Sequence, residues 1–380
     1  MNYKELYQKA RLNLNNTKGW RTKRQIVVFE SDDWGSIRMP TKDTFNRMLE
    51  AGIRVDKCPY NSFDTLETEN DFAALYEVLL SIRDINGQPP VFTANYVTCN
   101  PDFLRIKETD FQEYHYESFI KTFQKSDACR NSLLMIKQGI AESIFLPQFH
   151  GREHLNVNRW MNALRKRMPE TLFGFENKLF GLSTTITSEK RRSYLAAFDF
   201  DSKDELCDHG QIIVEGLSIF RKIFGFSSES FIASNYIWHR SIEEVLSDNG
   251  IKYIQGTFLQ REPQGFGKPY LKIKHYTGFS NQLDQVYLSR NAYFEPSFSM
   301  IRNPVKECLN QIKTAFFWNK PAVISTHRLN YIGGLEAKNR ESNLVLLKHL
   351  LFEIKRNWKN VEFFSSPALG NLIMQSDYDL

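Results

Sequence analysis

Short apolar runs alternate with longer amphipathic stretches along most of the chain. IVVFE (Ile26 to Glu30) is β-branched, short and bounded by polar residues, which predicts a buried strand. PVFTANY from Pro90, SIFLPQFH from Ser143, SFIASNY from Ser230, IKYIQG from Ile251, AVISTH from Ala322 and VEFFSS from Val361 read the same way. Helical patterns lie between them. DFAALYEVLLSIRDING predicts a helix ending at Asn86-Gly87, and DELCDHGQIIVEGLSIFRKIFG one ending at Gly225. Further helices are predicted in SLLMIKQGIAES, LNVNRWMNALRKRM, SIEEVLSDNG, NPVKECLNQIKTAFFWN (with Pro304 in its first turn) and NRESNLVLLKHLLFEIKRNW.

This alternation predicts parallel strands joined by crossover helices, in an open doubly wound sheet or a barrel. An open sheet commonly puts a glycine-rich phosphate turn after its first strand. Here the first strand runs into SDDWGS, with two acids where the glycines would stand, so a barrel is favoured. Residues Tyr270 to Pro296 have strand-like alternation and little helical signal. They suggest an inserted hairpin or irregular excursion. The expected organisation is a polar helical extension over 1–24 and a barrel domain over 25–380 with an insertion at 262–298.

Composition narrows the partners. The 380 residues carry a net charge of +5, from 49 Lys and Arg against 44 Asp and Glu. The densest basic stretches, Lys18 to Arg24 and Arg165 to Arg167, read as solvated surface, and no nucleic-acid partner is expected. Cys58, Cys99, Cys129, Cys207 and Cys308 are scattered without CxxC spacing, which argues against a disulfide framework and a thiolate zinc site. MNYKELYQKARLNLNN lacks the apolar core of a secretory signal, and no run approaches the roughly 18 apolar residues of a membrane span. A cytoplasmic location without a membrane span is the resulting expectation.

The chemistry-capable residues fall at strand ends, where parallel barrels keep their active sites. Asp32 and Asp33 follow IVVFE, His150 closes SIFLPQF, and His327 closes AVIST. In HGREH, His150 and His154 stand four apart, which on a helical first turn gives them one face. Two imidazoles so placed can grip one metal, and a carboxylate from elsewhere completes a catalytic site with a position left open for water. Such pairs also occur on ordinary surfaces; the strand-end setting is what favours a metal. Tandem aspartates repel each other in a partly dry site unless an ion relieves them, with one carboxylate as ligand and its neighbour free as a base. His327 begins a polar, glycine-rich loop, THRLNYIGG. Trp34, Tyr96, Tyr236, Trp238 and Tyr331 lie near expected strand ends, where aromatic faces could stack on sugar rings, although core packing suits them equally.

Asp-Asp after the first strand, H-x-x-x-H, then a late strand-end His: this order resembles the polysaccharide deacetylases (NodB-like, carbohydrate esterase family four), over roughly Ile26 to Ser366. The resemblance implies a distorted (β/α)7 TIM-like barrel and a divergent member of the wider glycoside hydrolase/deacetylase superfamily. It assigns Asp32 as base, Asp33, His150 and His154 as metal ligands, and His327 as acid. It implies one divalent metal, with zinc the first choice and iron, cobalt or manganese compatible, and an acetylated sugar or glycan as substrate. Gly151 replaces the hydroxyl residue usual in the family's histidine motif. Near FIASNYIWH, where the family carries an arginine that orients the base, Asn235 and Tyr236 stand instead, and these two join Trp34 and Trp238 as candidate substrate contacts. The Asp-Trp motif of the family has no counterpart around Tyr253 to Gly256. Two other classes compete. A glycoside hydrolase would pair Asp32 with Glu30, Glu153 or Glu295. The missing arginine motivates a catalytically silent glycan-binding barrel.

Overall fold

In a computed structural model, residues 10, 12–298, 300 and 302–378 are described. Residues 1–9 and 11 of the expected helical extension lie outside the described residues.

Seven strand positions form a ring of parallel pairs: β1 (Gln25–Trp34), β2 (Phe92–Val97), β3 (Phe145–Gly151), β4 (Ser230–Ile232), β5 (Tyr253–Thr257), β6 (Val286–Arg290) and β7 (Ala322–His327). β6 pairs with β5. Past Asn291 the same segment continues as Ala292–Tyr293 and pairs with β7, which pairs with β1. The broken strand thus closes a distorted (β/α) barrel. A further strand, β8 (Val361–Phe364), pairs with the first half of β1. The segment read as an insertion therefore needs correction. Its first part does form a two-stranded antiparallel excursion, Leu259–Glu262 with Leu271–Lys274, but its second part is a barrel strand.

Alternation along the strands sorts side chains between two surfaces. Val27 and Phe29 of β1 face outward into the core shared with the surrounding helices, beside Phe92, Ala94 and Ile324. Each such buried aliphatic or Phe side chain contributes about 1.5–3 kcal/mol over its exposed state. Ile26 and Val28 face the barrel interior, where Leu288, Val323 and Tyr253 meet Leu369 and Ile373 of the C-terminal helix Ser366–Tyr378. That helix plugs the bottom of the barrel closely: a Cβ on Gly370 would lie 2.4 Å from the Tyr253 ring.

Above this apolar plug the interior turns polar. Asn95 Nδ2 donates to Gln255 Oε1 (2.9 Å), Gln255 Nε2 to Ser230 Oγ (2.7 Å), and Ser230 Oγ to Gln148 Oε1 (2.9 Å). Glu30 completes the layer, bonded to Arg290 and Ser366. Buried polar groups are costly unless paired, and these are paired with one another apart from Asn95 Oδ1.

Helix ends follow local chemistry. Thr68 and Asp71 form a capping box before Glu69–Leu80, and Asn156 caps Val157–Arg165. The first of these helices stops at Leu80 rather than at Gly87, because Asp84 Oδ1 takes the backbone N–H groups of Asn86 (2.8 Å) and Gln88 (2.9 Å) into a turn. Among the described residues no helix is long and apolar enough to cross a membrane.

Candidate metal and hydrolytic site

β1 and β7 run in register with Asp32 opposite His327. In a regular strand Asp33 would point to the other face. Instead the pairing of β1 with β2 shifts between Ser31 and Trp34, and Asp33 sits at φ 77°. The bulge turns both acids toward the barrel mouth, a known use of bulges beside active sites. The turn beyond it is held from several sides. Glu67 accepts from Gly35 N (3.0 Å), Asn100 bonds Ile37 N (2.8 Å) and Gly35 O (2.9 Å), and Arg328 donates to Ser36 O (2.8 Å). This scaffold keeps a non-glycine residue in a conformation that is unfavourable on its own.

A second register shift, between Tyr96 and Val97, marks β3 at His150. The histidine pair is not on a helix: His150 is in the strand, His154 is in the following turn, and the helix starts only at Val157. Gly151 at φ 121° makes this return possible, which explains glycine at the motif's second position. Arg152 and Glu153 pair with each other (Nε–Oε2 2.7 Å) and lock the loop that brings His154 back.

Asp33 Oδ1 lies 3.5 Å from His150 Nε2 and 3.3 Å from His154 Nε2. The ligand atoms of these three buried residues all lie within 4.8 Å of one another. Such spacings match the edges of a coordination shell with bonds of about 2.0–2.2 Å. His150 Nδ1 bonds the Ile232 carbonyl (2.9 Å), so it carries the proton and leaves the Nε2 lone pair directed inward, buried and without a hydrogen-bond partner. Burial, then the Arg38 charge, hold the His154 pKa well below its usual value, so its ring is neutral. Burial would raise Asp33, but the Arg38 guanidinium outweighs it and holds the carboxylate well below its usual pKa.

The surrounding charges point the same way. Glu30, Asp32, Asp33, Asp64, Glu67 and Glu295 are linked through salt bridges to Arg38, Arg290, Arg328 and His327. Six carboxylates thus stand against four cations, with burial raising the pKa of Glu30, Asp64 and Glu67, and the Nε2 of His150 and Oδ2 of Asp33 left without a hydrogen-bond partner. These residues fit a divalent ion.

Asp32 is the most constrained acid. Arg290 Nη1 and Nη2 donate to its two oxygens, each at 2.6 Å, and Asn95 Nδ2 adds a bond at 2.7 Å. Burial alone would raise its pKa; Arg290 outweighs burial and holds it at about 2. Arg290 thus supplies the contact for which the sequence offered no arginine near Asn235, and it comes from the strand hidden in the irregular segment. His327 Nδ1 bonds Glu295 Oε1 (2.6 Å), whose Oε2 accepts from Asn330 (2.7 Å), while Nε2 faces Asp32 Oδ2 at 3.8 Å. Burial would lower His327, but Glu295, with Asp32 and Asp33 behind it, raises its pKa to about 9.

A cavity of about 200 Å³ opens here, lined by Asp32, Asp33, His150, His154 and His327 together with Arg38, Tyr60, Leu195, Asn235, Tyr236 and Arg261. Asn235 and Tyr236 lie on its wall at φ 57° and 56°, and Tyr236 Oη accepts from Arg290 (3.1 Å). Trp34 and Trp238 do not belong to the wall. Trp34 is 1% exposed and stacks on Phe72, with Phe145 edge-on; Trp238, also 1% exposed, donates to Glu243 (3.0 Å) and stacks on His275. Tyr96 and Tyr331 are buried as well. Trp34 and Tyr96 are placed by their strands, Trp238 by the loop after β4 and Tyr331 by the turn after β7. The carboxylates proposed for a glycosidase pair are each engaged: Glu30 by Arg290, Glu153 by Arg152 and Glu295 by His327. Arg290, Glu295 as a partner of His327, Asn95, Arg38 and Tyr60 were not among the expected site residues; the sequence offered Glu295 only as half of a glycosidase pair. The only sequence signal for the first three was a polar residue inside an otherwise apolar or strand-like run.

The molecule is therefore a parallel β/α barrel with a buried Asp-His-His cluster at its mouth. No protein family matches the sequence, and no curated protein matches it. Solved structures similar in fold include a 4-alpha-glucanotransferase from Thermococcus litoralis, at TM-score 0.45 and 9% identity over 91% of this chain and 40% of that one. This chain thus spans less than half the length of that enzyme. A probable polysaccharide deacetylase from Pseudomonas aeruginosa PAO1 is similar at TM-score 0.45 and 8% identity, covering 92% of this chain and 91% of that one. Puue allantoinase is similar at TM-score 0.44 and 11% identity, covering 93% and 91%.

Proposed function

We propose that the protein is a metal-dependent hydrolase that removes the acetyl group of an acetylated sugar, cleaving an amide bond that is not a peptide bond. The observation that supports this reading is the meeting of Asp33, His150 and His154 within one coordination shell, beside Asp32 and His327 on paired strands. Two imidazoles and a carboxylate suit zinc, and iron, cobalt or manganese accept the same donors. An ion held there supplies positive charge to the acyl oxygen and lowers the pKa of water.

The chain's own groups do the proton work. Asp32, fixed by Arg290 and Asn95, accepts the proton of the attacking water. His327, a cation at neutral pH with Nδ1 committed to Glu295, gives its Nε2 proton to the leaving nitrogen. Asn235 and Tyr236 wall the space beside Asp32, where the sugar ring would sit.

The test is acetate release from N-acetylglucosamine oligomers by protein reloaded with Zn²⁺ or Co²⁺. The expected result is release that a chelator abolishes and added metal restores. New reducing ends without acetate would instead indicate a glycosidase. No acetate from N- or O-acetylated sugars under any metal would reject the reading.

A further inference from the structure

Among the described residues Arg38 is the one buried arginine or lysine in contact with a proposed metal ligand, and its contacts are uneven. Its Nη2 stands 2.8 Å from Asp33 Oδ2, on the side of the carboxylate away from the two imidazoles, which face Oδ1. Its Nε lies 3.7 Å from Asp64 Oδ2. Nε and Nη1 of Arg38, Oδ2 of Asp64 and Oδ2 of Asp33 itself are buried with no hydrogen-bond partner, so the 2.8 Å contact of Arg38 with Asp33 is an ion pair, and the arginine is 3% exposed. The guanidinium lies over the Tyr60 ring, 5.4 Å from its centroid. Asp64 is held on its other oxygen by Arg328 Nε (2.9 Å). One guanidinium is thus divided between two carboxylates, close to Asp33 and just short of Asp64.

Resting on the metal reading above, we propose that Arg38 is a positioning residue for the ion: it occupies the outer oxygen of Asp33, confines that ligand to Oδ1, and by its charge holds metal affinity down. A carboxylate shared with a guanidinium is a weaker donor, and a fixed positive charge beside the site repels the incoming ion. The ion so held is the more electron-poor, which favours polarisation of a bound carbonyl. Asp64 moderates the effect by drawing the guanidinium toward itself.

The two neighbours of Asp33 therefore predict opposite signs. Arg38→Gln should bind metal more tightly and Asp64→Asn more weakly, each by about tenfold, the low end for groups behind a metal ligand. The measurement is the dissociation constant for Co²⁺ and Zn²⁺ by chelator competition, with the visible Co²⁺ spectrum recorded in parallel. In Arg38→Gln the freed Oδ2 should raise the coordination number and weaken the visible band. A purely structural role for Arg38 weakens binding in both variants, and that outcome, or unchanged constants, overturns the proposal. Should Arg38→Gln not fold, Asp64→Asn decides: unchanged or tighter binding overturns it. Wild-type protein that takes up no ion overturns the metal reading itself. Wild-type uptake lost in His150→Ala but not shifted in these variants overturns the role of Arg38 alone.

Discussion

The metal-ligating side of the cavity and its proton-transferring side are built in different ways. On the first, three ligands come from two short segments, and two bulges with one glycine aim them. On the second, His327 needs nothing unusual of its backbone, and Asp32, although it lies within the bulge on the β2 side, keeps its register with β7. They lie opposite each other in regular strand register, and their chemistry is set by distant charges, Arg290 on one and Glu295 on the other. Local geometry makes a binding site, and long-range charge partners tune an acid and a base.

The largest effect should separate the two sides. His150→Ala should lose the ion and with it roughly 10⁴-fold of turnover, the worth of several kcal/mol of charge stabilisation. His327→Ala should lose about 10²–10⁴-fold of turnover while ion content stays as in wild type. Turnover measured beside elemental analysis makes the comparison, and loss of ion in both variants would erase the division.

Next in size, Arg290→Met strips both Glu30 and Asp32 of their cation in the dry interior. Breaking a buried pair from one side costs about 3–5 kcal/mol, so urea unfolding should shift strongly. A neutral result would mean that the polar layer is wetter than its packing implies.

Glu295→Gln sharpens the account of the acid. The His327 pKa is raised to about 9, so its cation is present below that value and lost above it. Activity should fall as pH rises through about 9, and removing the Glu295 charge should move that limb toward neutrality. A limb that stays in place would separate Glu295 from the acid.

The smallest effect lies outside both sides. His209 and His275 are buried with pKa values lowered to about 4, below the ordinary 6.5, chiefly by burial. The unfolded chain takes up these protons first. Stability is therefore complete above pH 6.5 and declines as pH falls toward 4, by about 1–3 kcal/mol after allowance for partial exposure. Denaturation at pH 7 and pH 4.5 checks this, and His275→Asn should flatten the slope.

How much of this was legible in the sequence follows the same division. The barrel could be read because the outer faces of its strands are apolar and its helices are periodic. Asp32, Asp33, His150 and His327 stood out because they fall at strand ends, and His154 because it stands four residues after His150. The bulge at Asp33 leaves no mark in composition, so nothing in SDDW told which acid would turn where. Arg290 was hidden because β6 carries the polar sequence QVYLSRNAY, which follows a true hairpin and reads as its continuation. Glu295 sits past the break at Asn291, where no period survives. Trp34 and Trp238 misled for the opposite reason: position near a strand end does not tell which way a ring turns, and here the end of β1 and the loop after β4 send these rings into the core.

The central claim is that one divalent ion is held by Asp33, His150 and His154. Elemental analysis of purified, reloaded protein beside His150→Ala tests it most directly. The account predicts about one ion per chain in wild type and close to none in the variant. Equal stoichiometry in the two, or no ion in either, would contradict it.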